Sequence, residues 1–264
     1  MLFSRRRVHQ MLLGALAAAR SARAASASEW TVGANIGNVP WEFQDAQGRF
    51  VGFEIDLVTE AARRSGHPLK IENIPFNGLF AAVASGRIQI AISSITITPQ
   101  RLATLAFAQP YYDSEQSLSV LKTSRLQGLA DLAGATVGVD TASTGDIWAT
   151  AHSSQYRIGR VARYEGLAPA MLDLAAGRID AYLSDLPAVA YYIKDKPQFR
   201  VAARIATGER YSFMFAKNFA GAAELDAALT AMKKDGFLAA THLRWFGTAA
   251  PAGSATVQVL DRPH

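Results

Sequence analysis

The sequence predicts an α/β fold in two lobes, each a sheet of βα units, and three observations carry that reading. Strand-like and helix-like segments alternate from Thr31 to Trp245. One phrase occurs twice, as Ala84-Ser85-Gly86-Arg87-Ile88 and as Ala175-Ala176-Gly177-Arg178-Ile179. Each copy runs through a short apolar stretch to a polar pair, Ser93-Ser94 in the first and Ser184-Asp185 in the second. The chain has 264 residues, 50% of them apolar, enough for a substantial core shared between two lobes.

The elements follow in order. A strand is expected at 31–34, ahead of Asn35-Ile36-Gly37-Asn38-Val39-Pro40-Trp41, and a turn at 45–48. Ile55, Val58 and Ala62 have helical spacing, closed by Ser65-Gly66. A strand at 70–73, a helix at 79–84 and a strand at 88–92 continue the alternation. The same grammar returns as strand 136–139, helix 144–151, helix 168–176, strand 181–183 and helix 187–193. A strand at 211–216 then precedes helices at 222–234 and 237–245. Such alternation argues for largely parallel sheets. After Gly247 the chain turns rich in Ala, Gly, Pro, Ser and Thr, which predicts a flexible tail over 248–264.

The net charge of +5 is concentrated at one end. Arg5, Arg6, Arg7, Arg20 and Arg23 carry it, and beyond them 22 basic residues balance 22 acidic ones. A nucleic-acid-binding surface is therefore not expected. The arginines flank the apolar run Met11-Leu12-Leu13-Gly14-Ala15-Leu16-Ala17-Ala18-Ala19, followed by the small-residue sites Ala22-Arg23-Ala24 and Ala25-Ser26-Ala27. This is a cleaved signal peptide over 1–24, with cleavage after 27 as the alternative. Ser4-Arg5-Arg6-Arg7 suits a twin-arginine route, and an ordinary secretory route stays open. The run is too short to span a bilayer. With no cysteine there is neither a disulfide nor a lipid-anchor site, so the expectation is a soluble periplasmic protein that is not a lipoprotein.

In open α/β sheets, ligands sit beyond the carboxyl ends of the strands. There the first copy of the phrase offers Ser94, Thr96 and Arg101, a cation with hydroxyls, and the second offers Asp185, an anion. Facing each other, they suit a small zwitterion such as a free α-amino acid. Ser143 and Thr144 stand at an expected helix start, where hydroxyls and N–H groups favour a carboxylate. Each also has a structural reading. Arg101 beside Pro99 can be a solvated helix-start residue, Asp185 and Ser143 can be helix caps, and Trp41 after Pro40 can be core.

Longer motifs carry a resemblance. Val51-Gly52-Phe53-Glu54-Ile55-Asp56-Leu57, Ser94-Ile95-Thr96-Ile97-Thr98-Pro99-Gln100-Arg101 and Pro110-Tyr111-Tyr112 come in order. Val137-Gly138-Val139, Ser143-Thr144-Gly145 and Trp245-Phe246 follow. Together they resemble the family 3 bacterial solute-binding proteins, the periplasmic receptors of amino-acid ABC transporters, from about Thr31 to Gly247. The resemblance implies a type II periplasmic-binding-protein fold, two α/β lobes joined by two hinge strands that close like a flytrap on the ligand. It implies lobe 1 at 28–113 plus 211–247 and lobe 2 at 114–210. It further implies that Arg101 grips the ligand α-carboxylate and Asp185 takes the α-ammonium, with Ser94, Thr96, Ser143 and Thr144 near the same groups. The implied partners are a free L-amino acid and the membrane subunits of an ABC permease, with the protein a monomer.

Departures from the family pattern bear on specificity. Asn35 stands where many members carry an acid, Asn38 where many carry a stacking aromatic, and Asn77 where Asp is frequent. Trp41 and Phe76 remain as candidate walls. With no obvious further acid, the expected ligand is a neutral polar or small amino acid. An enzyme of the cyclohexadienyl (arogenate or prephenate) dehydratase type is the alternative function. It needs a proton donor, and Leu186-Pro187-Ala188 lacks the acid those enzymes carry after the aspartate. His67, His152 and His242 are scattered and read as surface residues. There is no Gly-x-Ser-x-Gly, His-Glu-x-x-His or phosphate loop, and no cofactor or metal is expected. A ligand-sensing role beside a separate sensor is a third possibility.

Overall fold

The computed structural model describes residues 28–264, so the expected signal peptide and both cleavage sites lie outside the described residues. The first half of the chain gives β1 (Trp30–Ala34), a small hairpin β2 (Phe43–Gln44) and β3 (Phe50–Val51), and α1 (Phe53–Ser65). It continues through β4 (Leu69–Asn73), α2 (Phe76–Ala84), β5 (Ile90–Ala91), α3 (Pro99–Thr104) and β6 (Leu105–Phe107). Helix α1 forms where the reading placed it. Glu54 and Asp56 in its first turn and Arg63 and Arg64 in its last complement the helix dipole. Its buried face, including Phe53, Leu57, Val58, Ala61 and Ala62, packs into the core.

The second half gives β7 (Tyr112–Leu121), β8 (Thr136–Asp140), α4 (Thr144–His152), β9 (Arg160–Tyr164), α5 (Leu167–Ala175), β10 (Ala181–Asp185) and α6 (Leu186–Ile193). Next come β11 (Phe199–Tyr211), β12 (Met214–Ala216), α7 (Ala222–Lys234) and α8 (Phe237–Phe246). Two five-stranded sheets result, ordered β4-β1-β5-β12-β6 and β11-β7-β10-β8-β9. In the first, β1 runs parallel to β4 and β5; in the second, β8 runs parallel to β9 and β10.

Strands β7 and β11 carry the chain out of the first sheet and back. They pair antiparallel from Tyr112 opposite Tyr211 to Leu121 opposite Phe199. Arg210 and Asp113 form an ion pair at 3.1 Å where they begin. The sequence pattern marked neither as a long strand. Ser117, Leu118, Ser119 and Val120 are all buried, so small serines occupy the face where an alternating strand would show polar, solvated residues.

One open choice is decided here and two expectations are corrected. Trp41 is 0% exposed and meets Phe53, Tyr112 and Tyr211 edge-on, with ring centroids 4.7–5.5 Å apart. It is core beside the hinge and not a cavity wall. His242 is buried as well, stacked on Tyr112 and bonded through Nδ1 to the Thr248 carbonyl. The segment after Gly247 is docked. Ser254, Ala255 and Thr256 are buried, Ala255 N–H donates to Asp113 Oδ2 at 2.7 Å, and Thr256 Oγ1 donates to the Tyr111 carbonyl at 3.0 Å. Small side chains let this backbone approach β7, a property that composition alone reads as looseness. Among the described residues no helix is long and apolar enough to cross a membrane.

Candidate functional site

A cavity of about 240 Å³ lies between the two sheets, and residues of both line it. On the first side the chain leaves β5 through Ser93 (φ 141) and Ser94 (φ 46), conformations that L residues adopt only when the surroundings hold them. Glu54 supplies the hold. Both its carboxylate oxygens accept from Ser94 N–H, at 2.9 and 3.0 Å, and it also accepts from Tyr111 OH. Glu42 lies beside it, fully buried. Burial first, and the Glu54 charge second, push the Glu42 carboxyl well above the usual range. Asn38 donates from Nδ2 to Glu42 Oε1 (3.0 Å) and Ser94 Oγ (3.1 Å), while Asn35 N–H donates to Ser93 Oγ (2.8 Å). Both asparagines line the cavity, tied into its floor.

Thr98 caps α3, accepting from Arg101 N–H, and Pro99 occupies the first turn. This turn aims Arg101 into the cavity, where it is 8% exposed and far from a solvated helix-start residue. Its Nη1 donates to the Thr96 carbonyl (2.7 Å) and its Nη2 crosses to the Ala142 carbonyl (3.3 Å). The rings of Phe80 and Phe76 lie 4.9 and 5.8 Å from the guanidinium carbon. Burial lowers the Arg101 pKa to about 10, which leaves it charged at neutral pH. Among the described residues it has no carboxylate within ion-pair distance. A buried cation with spare N–H donors is an anion site.

The second side is acidic. Asp185 ends β10 at the N-cap of α6, yet its side chain caps nothing. It accepts instead from Gln116 Nε2 and from Tyr211 OH at 2.5 Å. Burial, then the Glu209 charge, raise its pKa to about 7. Asp140, at the end of β8, accepts from Tyr182 OH (2.7 Å) and Ser184 Oγ (3.4 Å), while its Oδ1 is buried without a partner. Burial pushes it to about 6. Exposed Glu165 stands on the same side of the cavity. Ser143 does act as a cap, accepting from Asp146 N–H at 3.1 Å, and Thr144 opens α4 with its Oγ1 3.2 Å from Glu209 Oε2.

The fold thus gathers Asn35, Asn38, Phe76, Ser94, Thr96, Arg101, Ser143, Thr144 and Asp185 around one cavity and leaves Trp41 out. Sequence reasoning missed Gln116, Asp140, Glu165, Glu209 and Tyr211. Asp140 was within reach of the strand-end rule, because it closes Val137-Gly138-Val139. The expectation of a neutral ligand rested on the absence of a further acid, and Asp140 and Glu165 on the cavity wall overturn that premise.

Comparison with known proteins agrees. The profile of the bacterial extracellular solute-binding proteins, family 3, matches residues 30–248. ABC transporter arginine-binding protein 1 of Escherichia coli is 27% identical over 90% of this chain and 98% of its own length. The histidine-binding periplasmic protein of Salmonella typhimurium is 32% identical over 66% of this chain and 67% of its own. The crystal structure of ArtJ from Geobacillus stearothermophilus, an arginine-, lysine-, histidine-binding protein, superposes with a TM-score of 0.78. It is 28% identical and covers 85% of this chain and 97% of that one. These relatives are named for binding amino acids, and the matched family is one of solute-binding proteins, which speaks against the dehydratase alternative. With its two sheets of the type II periplasmic-binding-protein fold around one cavity, the chain belongs to the bacterial extracellular solute-binding proteins, family 3.

Proposed function

We propose that this chain captures a free basic L-amino acid between its lobes, 28–113 plus 211–247 and 114–210, and delivers it as a monomer in the periplasm to an ABC permease. The reading rests above all on charge. One buried cation, Arg101, faces a cavity wall bearing Asp140, Glu165 and Asp185. A zwitterion uses one charge of each sign, so the surplus carboxylates call for a cationic side chain. The relatives named for arginine, lysine and histidine point the same way.

In this scheme the α-carboxylate lies on Arg101, whose planar guanidinium makes two parallel bonds, near the N-terminus of α4. The α-ammonium lies on Asp185, and the side-chain cation extends toward Asp140 and Glu165. Charge-assisted hydrogen bonds contribute about 1.5–3 kcal/mol each, and micromolar affinity needs about 8 kcal/mol beyond the cost of ordering and closure. Because contacts come from both sheets, the ligand stabilises the closed arrangement by what it adds there. Closure then offers one continuous surface to the permease.

Calorimetric titration of refolded protein against a panel of L-amino acids tests this. Saturable one-to-one binding of arginine, lysine or histidine, at least about tenfold tighter than serine or glycine, is expected. Preference for a neutral amino acid, or silence across the basic ones, overturns the reading.

A further inference from the structure

A second carboxylate, unused by the binding scheme, lies beside Asp185. Glu209 sits on β11 where its pairing with β7 shifts register between Ile205 and Glu209. It is 8% exposed. Its carboxylate accepts from Thr96 Oγ1 of the first side (3.1 Å), from Thr144 Oγ1 of the second (3.2 Å), and from Gln116 Nε2 on β7 (3.0 and 3.1 Å). The same Nε2 also donates to Asp185 Oδ1 and stands 3.1 Å from Thr144 Oγ1. An amide nitrogen has two hydrogens, too few for all these acceptors, and Gln116 Oε1 is buried without a partner. Two carboxylates are therefore held against one amide. Neither takes part in any ion pair of the described residues. The Glu209 charge favours the protonated form of Asp185.

We propose that Asp185 and Glu209 act as one ammonium receptor, in which Asp185 carries a proton in the ligand-free protein and gives it up when the ligand α-ammonium donates to both carboxylates. The inference rests on the reading of Asp185 as the ammonium partner and adds Glu209 as a second specificity residue. The exchange balances simply. The ligand arrives already protonated, its N–H groups donate to both carboxylates, and one proton leaves for the solvent.

The surroundings set the range. Arg101 on α3 favours the ionised pair; Asp140 on β8 opposes it. Tyr211 on β11 and Gln116 on β7 donate to Asp185, and Thr96 and Thr144 donate to Glu209. Tyr182 on β10 donates a hydrogen bond from its hydroxyl to Asp140. Burial and the Glu209 charge outweigh the donors and raise Asp185 to about 7. The sign follows. Below that pH the ligand must expel a proton, so affinity falls as pH falls, by up to about tenfold per unit. Above it no proton is expelled and affinity levels off. Because Glu209 touches both sides of the cavity, discharging the pair also couples ligand capture to the closed arrangement.

The test is calorimetric titration with L-arginine at about pH 6 and about pH 8.5, each in two buffers of different ionisation enthalpy. Lysine and histidine serve as second probes. Release approaching one proton per ligand at the lower pH, and almost none at the higher, is expected. Glu209→Gln should lower the release, because burial alone still raises Asp185, and weaken binding at the higher pH by about tenfold or more. A merely structural glutamate would leave the proton count unchanged. If Glu209→Gln does not fold, Glu209→Asp, which pulls the second carboxylate back from the cavity, is titrated in its place and should weaken binding at the higher pH. Binding without proton release, or a proton count and affinity unchanged in Glu209→Gln, overturns this inference and leaves the basic-amino-acid reading intact. No binding of any basic amino acid overturns both.

Discussion

At the end of α2, Gly86 turns the chain at φ 75 and Ile88 is 1% exposed; at the end of α5, Gly177 turns it at φ 68 and Ile179 is 2% exposed. The left-handed turns favour glycine, and each isoleucine anchors the coming strand in its core. The arginines between them lie at the surface, Arg87 paired with Glu72 and Arg178 with Asp173. Beyond this point the two regions diverge. After β5 the Ser93-Ser94 kink sends the chain on to α3 and Arg101, whereas β10 runs directly into α6 with Asp185 at the junction. The repeated phrase is thus a folding device, and the opposite charges one element later are where the proposed scheme places the ligand.

Substitutions can break that comparison, and the largest effect is expected at its acidic end. Asp185→Ala leaves the ligand ammonium without its main partner, and affinity should drop by about two to three orders of magnitude. Calorimetry measures it, and an unchanged affinity would remove Asp185 from the site. Arg101→Lys keeps the charge and loses the planar fork, so a loss of about tenfold to a hundredfold is expected in the same titration. Asp140→Asn should act on selectivity: arginine weakens by about tenfold while serine, lacking a side-chain cation, changes little. Competition between the two amino acids reads this out. The smallest effect belongs to the phrase itself. Arg87→Ala and Arg178→Ala break only exposed ion pairs, and neither affinity nor melting temperature should move measurably.

What could be read from the sequence was local. Gly86 and Gly177 announce helix ends, and Thr98-Pro99 announces the start of α3 and so the approach of Arg101. Asp185 follows from the strand-end rule. What escaped depends on pairing across the fold. Glu209 and Gln116 stand far apart in the chain, and only the β7–β11 ladder brings them together under Asp185. Trp41 shows the converse: the sequence left wall and core both open for it, and the rings of Phe53, Tyr112 and Tyr211 decide for core. The premise behind a neutral ligand failed for a related reason. The reading weighed the acids missing from the first side, while Asp140 and Glu165 come from the second.

The central claim is that Arg101 and Asp185 hold the two α-charges of one ligand. Titration of L-arginine beside agmatine, which keeps the guanidinium and amine and lacks the α-carboxylate, tests it most directly. The account predicts that agmatine binds at least about a hundredfold more weakly, since Arg101 then faces no anion. Equal affinity for the two would contradict it, showing that the side-chain cation alone drives binding and that Arg101 is not a carboxylate site.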